Sequence, residues 1–210
     1  MPREAHSIII TAAPQPQPRV VFEYAGTNNH FIIPPTYIHT TDQTVEQAIT
    51  ETITTAGYRL FPARIPLKLA SARSGLTCYG RNNITYIEEM GSFYRLKAFF
   101  SDMPIEYEDW HKPRMLKQCK DCSACVKKCP TGAISGDAFI IKQDRCLTFH
   151  NERLSEFPEW IDDNWHHCLI GCMCCQTICP ANRQVKNWME DSVYFEKAKP
   201  RLFYKVPVSN

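Results

Sequence analysis

Short runs of apolar residues in the first hundred residues predict several short strands. β-Branched and aromatic residues are concentrated at 7–12 and 19–24, and the proline-rich stretch 14–18 between them predicts a loop. Two later runs, at 83–87 and 94–100, have the same character and predict further strands. This half of the chain is therefore expected to contain β-structure interrupted by helices.

Two helices are predicted between these strands from apolar positions spaced three and four residues apart. The first has Asp42 as its N-cap and ends at Gly57. Its inner face is predicted to comprise Val45, Ala48, Ile49 and Ile53. The second covers 67–74, because Pro66 suits the start of a helix and Gly75 suits its end. The chain thus mixes helices and strands before its cysteine-rich part begins.

Two cysteine runs govern the chain from about residue 110 onward. The first has the spacing Cys-x2-Cys-x2-Cys-x3-Cys-Pro and comprises Cys119, Cys122, Cys125, Cys129 and Pro130. The second comprises Cys172, Cys175, Cys179 and Pro180, and Cys146 lies between the runs. This spacing is typical of proteins that hold two [4Fe–4S] clusters. A short helix is expected after Cys125 and another after Cys172. Two such clusters indicate one-electron transfer.

In such proteins the cysteine before the proline ligates the other cluster. The first cluster is therefore predicted to take Cys119, Cys122, Cys125 and Cys179. The second is predicted to take Cys129, Cys172, Cys175 and one of Cys146, Cys168 or Cys174. We favour Cys146, because Cys174 adjoins a ligand and Cys168 suits a buried thiol. The chain has 11 cysteines, so Cys78, Cys168 and Cys174 remain.

Other uses of cysteine agree less well with these runs. One zinc ion needs four ligands, and disulfides need an oxidising compartment. The apolar run 7–10 is too short for a signal peptide, and no run approaches a membrane span. The net charge of +2 makes nucleic acid an unlikely partner. We expect a cytoplasmic protein that works anaerobically.

Basic residues crowd the first cysteine run. They are Lys112, Arg114, Lys117, Lys120, Lys127 and Lys128. They are interpreted either as a solvated rim that offsets the cluster charge or as a docking patch. The docking interpretation predicts a small acidic electron donor, such as a ferredoxin or a flavodoxin.

The stretch 57–183 resembles the epoxyqueuosine reductase family, whose members are relatives of reductive dehalogenases and carry cobalamin and two [4Fe–4S] clusters. The resemblance begins with Gly-Tyr-Arg-Leu-Phe at 57–61 and continues through the segment 72–82. Gly91-Ser92 and Asp102-x-Pro104 follow in the family's order, and both cysteine runs continue the match. The segment 75–82 is what indicates this family rather than a generic ferredoxin.

The resemblance implies an α+β protein in which a small N-terminal α/β domain of corrinoid type precedes a bacterial, ferredoxin-like domain with two [4Fe–4S] clusters. The implied boundaries are 1–110, 111–190 and a C-terminal tail, 191–210, whose last fifteen residues are expected to pack back. The family takes the cysteine after an Asp/Arg pair as a ligand, which favours Cys146. The implied cobalamin contacts are Tyr37, Gly75, Leu76, Cys78, Tyr79, Gly80 and Arg81.

The sequence departs from the family at the general acid, where Ala63 replaces an aspartate. Comparison with the family also leads us to expect that the family's first helical part has no counterpart before Ser7. Since alanine cannot supply a proton, we expect a redox protein that passes electrons to a bound cobalamin without reducing epoxyqueuosine. The alternative is a ferredoxin-like carrier, or a reductive activator of a corrinoid partner protein, with no corrinoid of its own. The catalytic residues are left open.

Overall fold

The structure is a computed structural model that describes residues 2–24, 26–106, 108–153 and 155–195. Helices and strands are mixed, as the sequence predicts. The strands are β1 (Ser7–Pro14), β2 (Gln17–Tyr24), β3 (Thr27–Ile32), β4 (Leu60–Pro62), β5 (Cys78–Tyr79), β6 (Thr85–Tyr86), β7 (Tyr94–Ser101) and β8 (Met189–Phe195). The α-helices are α1 (Thr40–Thr55), α2 (Leu67–Arg73), α3 (Ala124–Lys128), α4 (Leu147–Asn151) and α5 (Cys174–Thr177). Short 3₁₀ turns lie at Pro35–Tyr37, Lys117–Lys120, Gln143–Arg145, Asp163–Trp165 and Pro180–Asn182.

The first sheet has the order β1-β7-β4 and is antiparallel throughout. Ser7 pairs with Ser101 at one end of the β1–β7 ladder, and Pro14 pairs with Tyr94 at the other. This confirms the strands predicted at 7–12 and 94–100. The proline-rich loop is shorter than predicted, because β1 runs through Pro14 and β2 already starts at Gln17.

The second sheet has the order β3-β2-β8 and joins distant parts of the chain. The strand predicted at 19–24 is confirmed as β2, which pairs antiparallel with β3 and parallel with β8. Neither β3 nor β8 is predicted from the sequence. Because β8 spans the predicted boundary at 190, the end of the described chain lies against the N-terminal part. The final residues, 196–210, where the tail was expected to pack back, lie outside the described residues.

Both predicted helices of the N-terminal half exist, with shifted ends. α1 starts before Asp42, because the amide of Asp42 already donates to the carbonyl of His39 at 3.1 Å. The inner face of α1 comprises Val45, Ile49 and Ile53, whereas Ala48 is exposed. α2 ends at Arg73 and buries Ala70, Ser71 and Ala72. The strand predicted at 83–87 shrinks to β6, because β5 offers it a partner of two residues.

Two small apolar clusters hold the cysteine-rich part against the sheets. One contains Phe93, Cys168, Met173 and Val185. The other contains Val20, Phe22 and Phe31, with Leu169 packed against it. Within the described ranges, no helix has both the length and the apolar character needed to cross a membrane.

Candidate iron–sulfur and cofactor site

The first cysteine run forms tight turns that bring its thiols to one side. A 3₁₀ turn at Lys117–Lys120 carries Cys119, and α3 carries Cys125. The amide of Cys129 donates to the carbonyl of Cys125 at 3.1 Å, after which the chain becomes extended and leads into Pro130. The proline cannot continue a helix. Cys129 is thereby separated from the other three cysteines of its run.

Cys119, Cys122, Cys125 and Cys179 line one small pocket, together with Gly80, Arg81 and Asn82. We call these four cysteines the first cysteine site. Burial, followed by the neighbouring Cys179, Cys119 and Cys122, raises the pKa of the Cys125 thiol. The distant Cys179 reaches this site because α5, just before it in the chain, packs against α3. The structure therefore brings together the cysteines that the sequence assigns to the first cluster.

Cys129, Cys146, Cys172 and Cys175 line a much larger cavity, of about 390 Å³, which we call the main cavity. We call these four cysteines the second cysteine site. Burial raises the pKa of Cys175 to about 12, with the thiols of Cys146, Cys125 and Cys129 contributing. Arg145 helps to position Cys146, because its Nε donates to the carbonyl of Thr131 at 2.9 Å. The predicted second ligand set is thus assembled at the wall of a cavity.

The three remaining cysteines have different surroundings. Cys168 is a buried thiol of the core, as the sequence suggests, and Cys78 is half-buried in β5. Cys174, in contrast, lines the main cavity. Its Sγ lies 3.7 Å from Nδ1 of His167. The ligand atoms of His167, Cys172 and Cys174 all lie within 4.8 Å of one another.

His167 is a site residue that the sequence analysis misses. Its Nε2 accepts a hydrogen bond from the amide of Met173 at 3.1 Å, beside Cys172. No spacing signal marks it, because its position beside the cysteine run depends on how the intervening loop folds.

Arg81 and Tyr86 surround the first cysteine site with hydrogen-bond donors. The guanidinium of Arg81 donates to the carbonyls of Cys119, at 2.5 Å, and of Gly136. Its Nε is buried and has no hydrogen-bond partner among the described residues. The hydroxyl of Tyr86 accepts from Asn82 Nδ2 at 2.8 Å and bonds to the thiol of Cys179. Burial, and then Cys179, raise the pKa of Tyr86, so the hydroxyl stays protonated and donates.

A buried polar network anchors the second cysteine run to the loop before β7. Ser92 Oγ donates to Gln176 Oε1 at 2.8 Å, and Asn182 Nδ2 donates to Ser92 Oγ at 2.9 Å. The amide of Ser92 donates back to Asn182 Oδ1 at 2.8 Å. Gly91 is required here, because its φ is +56° and an added Cβ would lie 2.2 Å from Asn182 Oδ1.

The residues predicted to contact cobalamin do not form one surface. Tyr37 lines the main cavity, and its hydroxyl donates to Glu152. Gly80 lines the pocket of the first cysteine site, Tyr79 lines a second groove, and Arg81 lines both. Gly75 lies against His111, Leu76 is 37% exposed, and Cys78 pairs with Tyr86 in β5–β6. Only the end of the segment 75–82, from Gly80 to Asn82, lines the pocket of the first cysteine site.

Of the segment 75–82, Asn82 alone lines the main cavity among the described residues. Besides the cysteines, the lining of this cavity includes Leu67, Lys68, Asn82, Asn83, Ile84, Thr85, Tyr94 and Arg95. They come from the start of α2, the β5–β6 turn and the first residues of β7. Three separate segments meet here, which is why no single sequence motif predicts the wall.

Comparison with known proteins agrees with this geometry. Residues 118–182 match the family described as a 4Fe-4S double cluster binding domain. An epoxyqueuosine reductase of Staphylococcus aureus is 30% identical over 144 residues, covering 68% of this chain and 37% of that protein. One from Gloeobacter violaceus is 32% identical over 117 residues, covering 55% of this chain and 35% of that protein. The chain therefore spans little more than a third of the length of these curated relatives.

Solved structures of epoxyqueuosine reductases share the fold. The Bacillus subtilis protein superposes with a TM-score of 0.65 at 22% identity, covering 87% of this chain and 50% of that one. The Streptococcus thermophilus protein gives a TM-score of 0.65 at 18% identity, covering 90% and 52%. An epoxyqueuosine reductase solved with an epoxyqueuosine-modified tRNA-Tyr stem loop gives a TM-score of 0.63 at 21% identity. The match covers 87% of this chain and 50% of that one.

These relatives overturn one expectation. The replacement at Ala63 led us to expect that epoxyqueuosine reduction was absent, yet the curated relatives and the structural neighbours are themselves epoxyqueuosine reductases. The inference was wrong because it rested on one carboxylate, whereas the main cavity offers other polar groups, Lys68 among them. The resemblance itself is confirmed: the chain is an iron–sulfur protein related to the epoxyqueuosine reductases.

Proposed function

We propose that this chain is an iron–sulfur reductase of the epoxyqueuosine reductase type. In this proposal two [4Fe–4S] clusters pass single electrons toward the main cavity, where a cofactor and substrate are held. The first cysteine site holds one cluster and the second cysteine site holds the other. One observation carries the proposal: the four cysteines of the second site form part of the wall of a cavity of about 390 Å³.

The first cysteine site fits a cluster in its polar groups as well as in its thiols. Arg81 Nε is buried beside it without a protein partner among the described residues. A buried donor of this kind is costly unless it finds an acceptor. The sulfur atoms of a bound cluster are acceptors, and hydrogen bonds to them tune its potential. The unmet donor of Arg81 therefore supports a cluster in this pocket.

The second cysteine site is supported by its position and by a neighbouring hydroxyl. Cys129 Sγ lies 3.6 Å from Thr131 Oγ1, which can donate to a thiolate. Cys175, in contrast, is half-buried, and desolvation raises the pKa of its thiol. Burying several thiolates without a metal is unfavourable, and coordination removes this cost. The site therefore suits a cluster with one side sealed by the protein and the other open to the cavity.

Cobalamin is proposed as the cofactor of the main cavity. A corrinoid is a large apolar macrocycle edged with amides, and it supplies cobalt-centred electron-pair chemistry when bound. The cavity pairs aliphatic and aromatic walls with amide and hydroxyl groups. Ile84, Leu96 and Tyr94 would face the ring, whereas Asn83 and Thr36 would meet its amides. The role of the chain's own residues is then to orient the ring and to exclude water.

Lys68 is proposed as the proton donor in place of the aspartate that Ala63 replaces. It lines the main cavity, and its Nζ donates one hydrogen bond, to the carbonyl of Asn83 at 3.2 Å. Lys68 is exposed as a whole residue, yet desolvation at the cavity wall lowers the pKa of its ammonium. A lysine whose pKa is lowered in this way is a better acid near neutral pH.

Other protonated groups along the cavity wall are committed elsewhere. The hydroxyl of Tyr94 donates to Thr85 Oγ1 at 2.7 Å, and burial raises its pKa further. The hydroxyl of Tyr37 donates to Glu152. Arg95 bonds to Asp42 and to the carbonyl of Thr36, and a guanidinium does not release its proton. These contacts favour Lys68 as the acid.

The substrate proposed first is an epoxide of the epoxyqueuosine type, presented on RNA as in the structural neighbour. Removal of an epoxide oxygen consumes two electrons and two protons, breaks both carbon–oxygen bonds, leaves an alkene and releases water. The clusters would supply the two electrons one at a time. Lys68 would deliver a proton to the departing oxygen and take a proton back from solvent, and a second proton would complete the water. This proposal assigns to the present chain an activity that is named for longer, similar proteins.

The test begins with protein purified and reconstituted without oxygen. We expect about eight iron atoms per chain, at four per cubane, and two EPR signals after reduction. Titration with cob(II)alamin should change the corrinoid EPR signal. Incubation with reductant, cobalamin and an epoxyqueuosine-modified stem loop should convert the nucleoside, as measured by mass spectrometry. About four irons, or bound zinc, would contradict the two clusters. Full clusters without corrinoid binding or conversion would contradict the reductase.

A further inference from the structure

A second opening borders the first cysteine site and shares no lining residue with the main cavity. It is a groove of about 670 Å³, which we call the Cys119 groove because Cys119 forms part of its wall. The residues used below are Tyr79, Arg81, Arg114, Met115, Lys117 and Phe139. Proximity to Cys119 makes this groove a short route for an electron from outside to the first cluster.

The floor of the groove is apolar and accessible. The rings of Tyr79 and Phe139 meet edge to face, with their centroids 5.1 Å apart. Phe139 is 45% exposed and Met115 is 43% exposed, and the neighbouring Ile140 is 77% exposed. Large apolar side chains clustered at a surface in this way are typical of sites that contact another protein.

The rim of the groove is strongly basic. Arg81, Arg114, Lys117 and Lys120 line it, against a single acid, Asp137. The carboxylate of Asp137 is engaged by Ser135, a hydrogen bond that lowers the pKa of this carboxyl group, and Lys142 lies close to it. Positive charge therefore dominates around an apolar floor. A surface of this kind complements a partner with an acidic rim and an apolar centre.

The walls of the groove are already fixed by hydrogen bonds. The amide of Tyr79 donates to the carbonyl of Arg114, and the amide of Leu116 donates to the carbonyl of Tyr79, each at 2.8 Å. Arg81 ties Cys119 on one wall to Gly136 on the other. A surface that is formed before binding loses little conformational entropy when a partner docks.

We propose that the Cys119 groove is the docking surface for a small acidic one-electron donor protein of the flavodoxin or ferredoxin kind. The proposal rests on the proposed function, because it requires a cluster in the first cysteine site. The donor's acidic rim meets Arg114, Lys117 and Lys120, and its apolar centre meets Phe139 and Met115. One electron passes from the donor's reduced centre to the first cluster, which gains the charge that the donor loses.

The test measures the reduction of the clusters in the full chain by stopped flow without oxygen. The donor is a flavodoxin in its hydroquinone form, and dithionite serves as a small reductant. The variant is Arg114→Glu with Lys117→Glu. We expect its rate with flavodoxin at low salt to fall by about tenfold or more, since steering by charge changes rates by 10- to 1,000-fold. The wild-type rate with flavodoxin should fall as salt rises. The variant's rate with dithionite, a small anion that does not need the groove, should fall much less than its rate with flavodoxin.

A matched control reverses two exposed basic residues away from the groove, Arg3→Glu with Arg64→Glu, which changes the net charge equally. Its rate with flavodoxin should stay close to that of the wild type. Arg114→Gln with Lys117→Gln gives a milder variant in case charge reversal disturbs the cysteine loop, and iron content and midpoint potentials are measured for each.

Several results would overturn the docking surface. They are an unchanged rate in both groove variants, an equal loss in the control, or a wild-type rate independent of salt. An RNA stem loop could also slow reduction by flavodoxin while the groove variants leave the rate of that reduction unchanged. This result would assign the groove to nucleic acid instead. A wild-type chain without reducible clusters would overturn the proposed function along with the docking surface, so the two failures are distinguishable.

Discussion

The first and second cysteine sites differ in what surrounds their sulfur atoms. The first lies in a small pocket closed by Gly80, Arg81 and Asn82, behind a basic groove. The second forms part of the wall of a cavity of about 390 Å³ that reaches Lys68 and Tyr37. Both sites therefore contain four thiols, but the first lies in a small pocket and the second faces a larger cavity. An enclosed cluster suits relay of electrons, whereas a cluster at a cavity suits their delivery to a bound molecule.

The largest expected effect comes from removing one thiol of the second site. Cys146→Ala should lose the second cluster and keep the first, so iron should fall from about eight to about four atoms per chain. Conversion in the main cavity should be lost with it. Cys168→Ala and Cys174→Ala, which change cysteines outside both proposed ligand sets, should keep both clusters. Iron analysis and EPR measure this. Loss of a cluster in Cys168→Ala but not in Cys146→Ala would reverse the assignment.

The next effect concerns the main cavity alone. Lys68→Met should lower the rate of substrate reduction by about a hundredfold or more, the usual contribution of a general acid, while both EPR signals persist. Lys68→Arg should also be slow, because arginine keeps the charge but does not release a proton. Lys186→Met, at an exposed lysine outside the cavity lining, is the control. Full activity in Lys68→Met would exclude this residue as the acid.

The same residue predicts a pH dependence. Since the protonated form donates, the rate should fall as the pH rises through the pKa of Lys68. Burial places that pKa below the ordinary lysine value of 10.5. The fall should therefore occur at lower pH than for a solvated lysine and should be absent from Lys68→Met. A profile identical in the two proteins would contradict the role.

A smaller effect tests how the second run is anchored. Gly91→Ala forces a side chain into positive φ and onto Asn182. We expect the free energy of unfolding to fall by about 1 kcal/mol because of the backbone conformation and by about 1–3 kcal/mol more because of the displaced hydrogen bonds. Gly132→Ala has a similar φ of +64° with no atom within 4 Å of the added Cβ, so it isolates the backbone cost. Thermal melting of the cluster-loaded proteins should show the larger drop for Gly91→Ala. Equal drops would mean that Asn182 moves aside freely.

The smallest effect separates the two sites by potential. Tyr86→Phe removes the hydrogen bond to Cys179. A hydrogen bond with a net free energy of about 1 kcal/mol corresponds to a shift in midpoint potential of roughly 40 mV for a one-electron couple. The midpoint of the first cluster should fall by about this amount, since donors to cluster sulfur favour the reduced state. Tyr94→Phe, at the main cavity, should leave that midpoint unchanged. An EPR-monitored redox titration decides the outcome.

The sequence predicts which cysteines lie together better than it predicts the lining of the main cavity, because the spacing within a cysteine run is local and the cavity lining comes from separate segments. The turns around Cys119 and Cys125 need only neighbouring residues, so the cysteine runs identify them directly. Lys68, Asn83 and Tyr94 meet through separate elements, and no period in the sequence links them. The segment 75–82 matches the family, but its residues are divided among the first cysteine site, a separate groove and the surface.

The fold shows the same division between local and distant information. β1 and β7 are predicted from their local runs of apolar residues, whereas β8 depends on a parallel pairing with β2 across most of the chain. The substitution at Ala63 shows the limit of local information, because the loss of one carboxylate does not predict the loss of the activity. The proton donor can come from another segment, and the residues around the missing carboxylate do not reveal it.

The most direct test of the account measures which cluster senses the corrinoid. The reduced protein is titrated with cob(II)alamin, and the EPR signals of both clusters are recorded in the wild type and in Tyr86→Phe, whose shifted midpoint marks the first cluster. The account predicts that bound cobalamin broadens the signal of the second cluster, at the main cavity, more strongly than that of the first. Equal broadening, broadening of the first cluster alone, or no change at saturating corrinoid would contradict it.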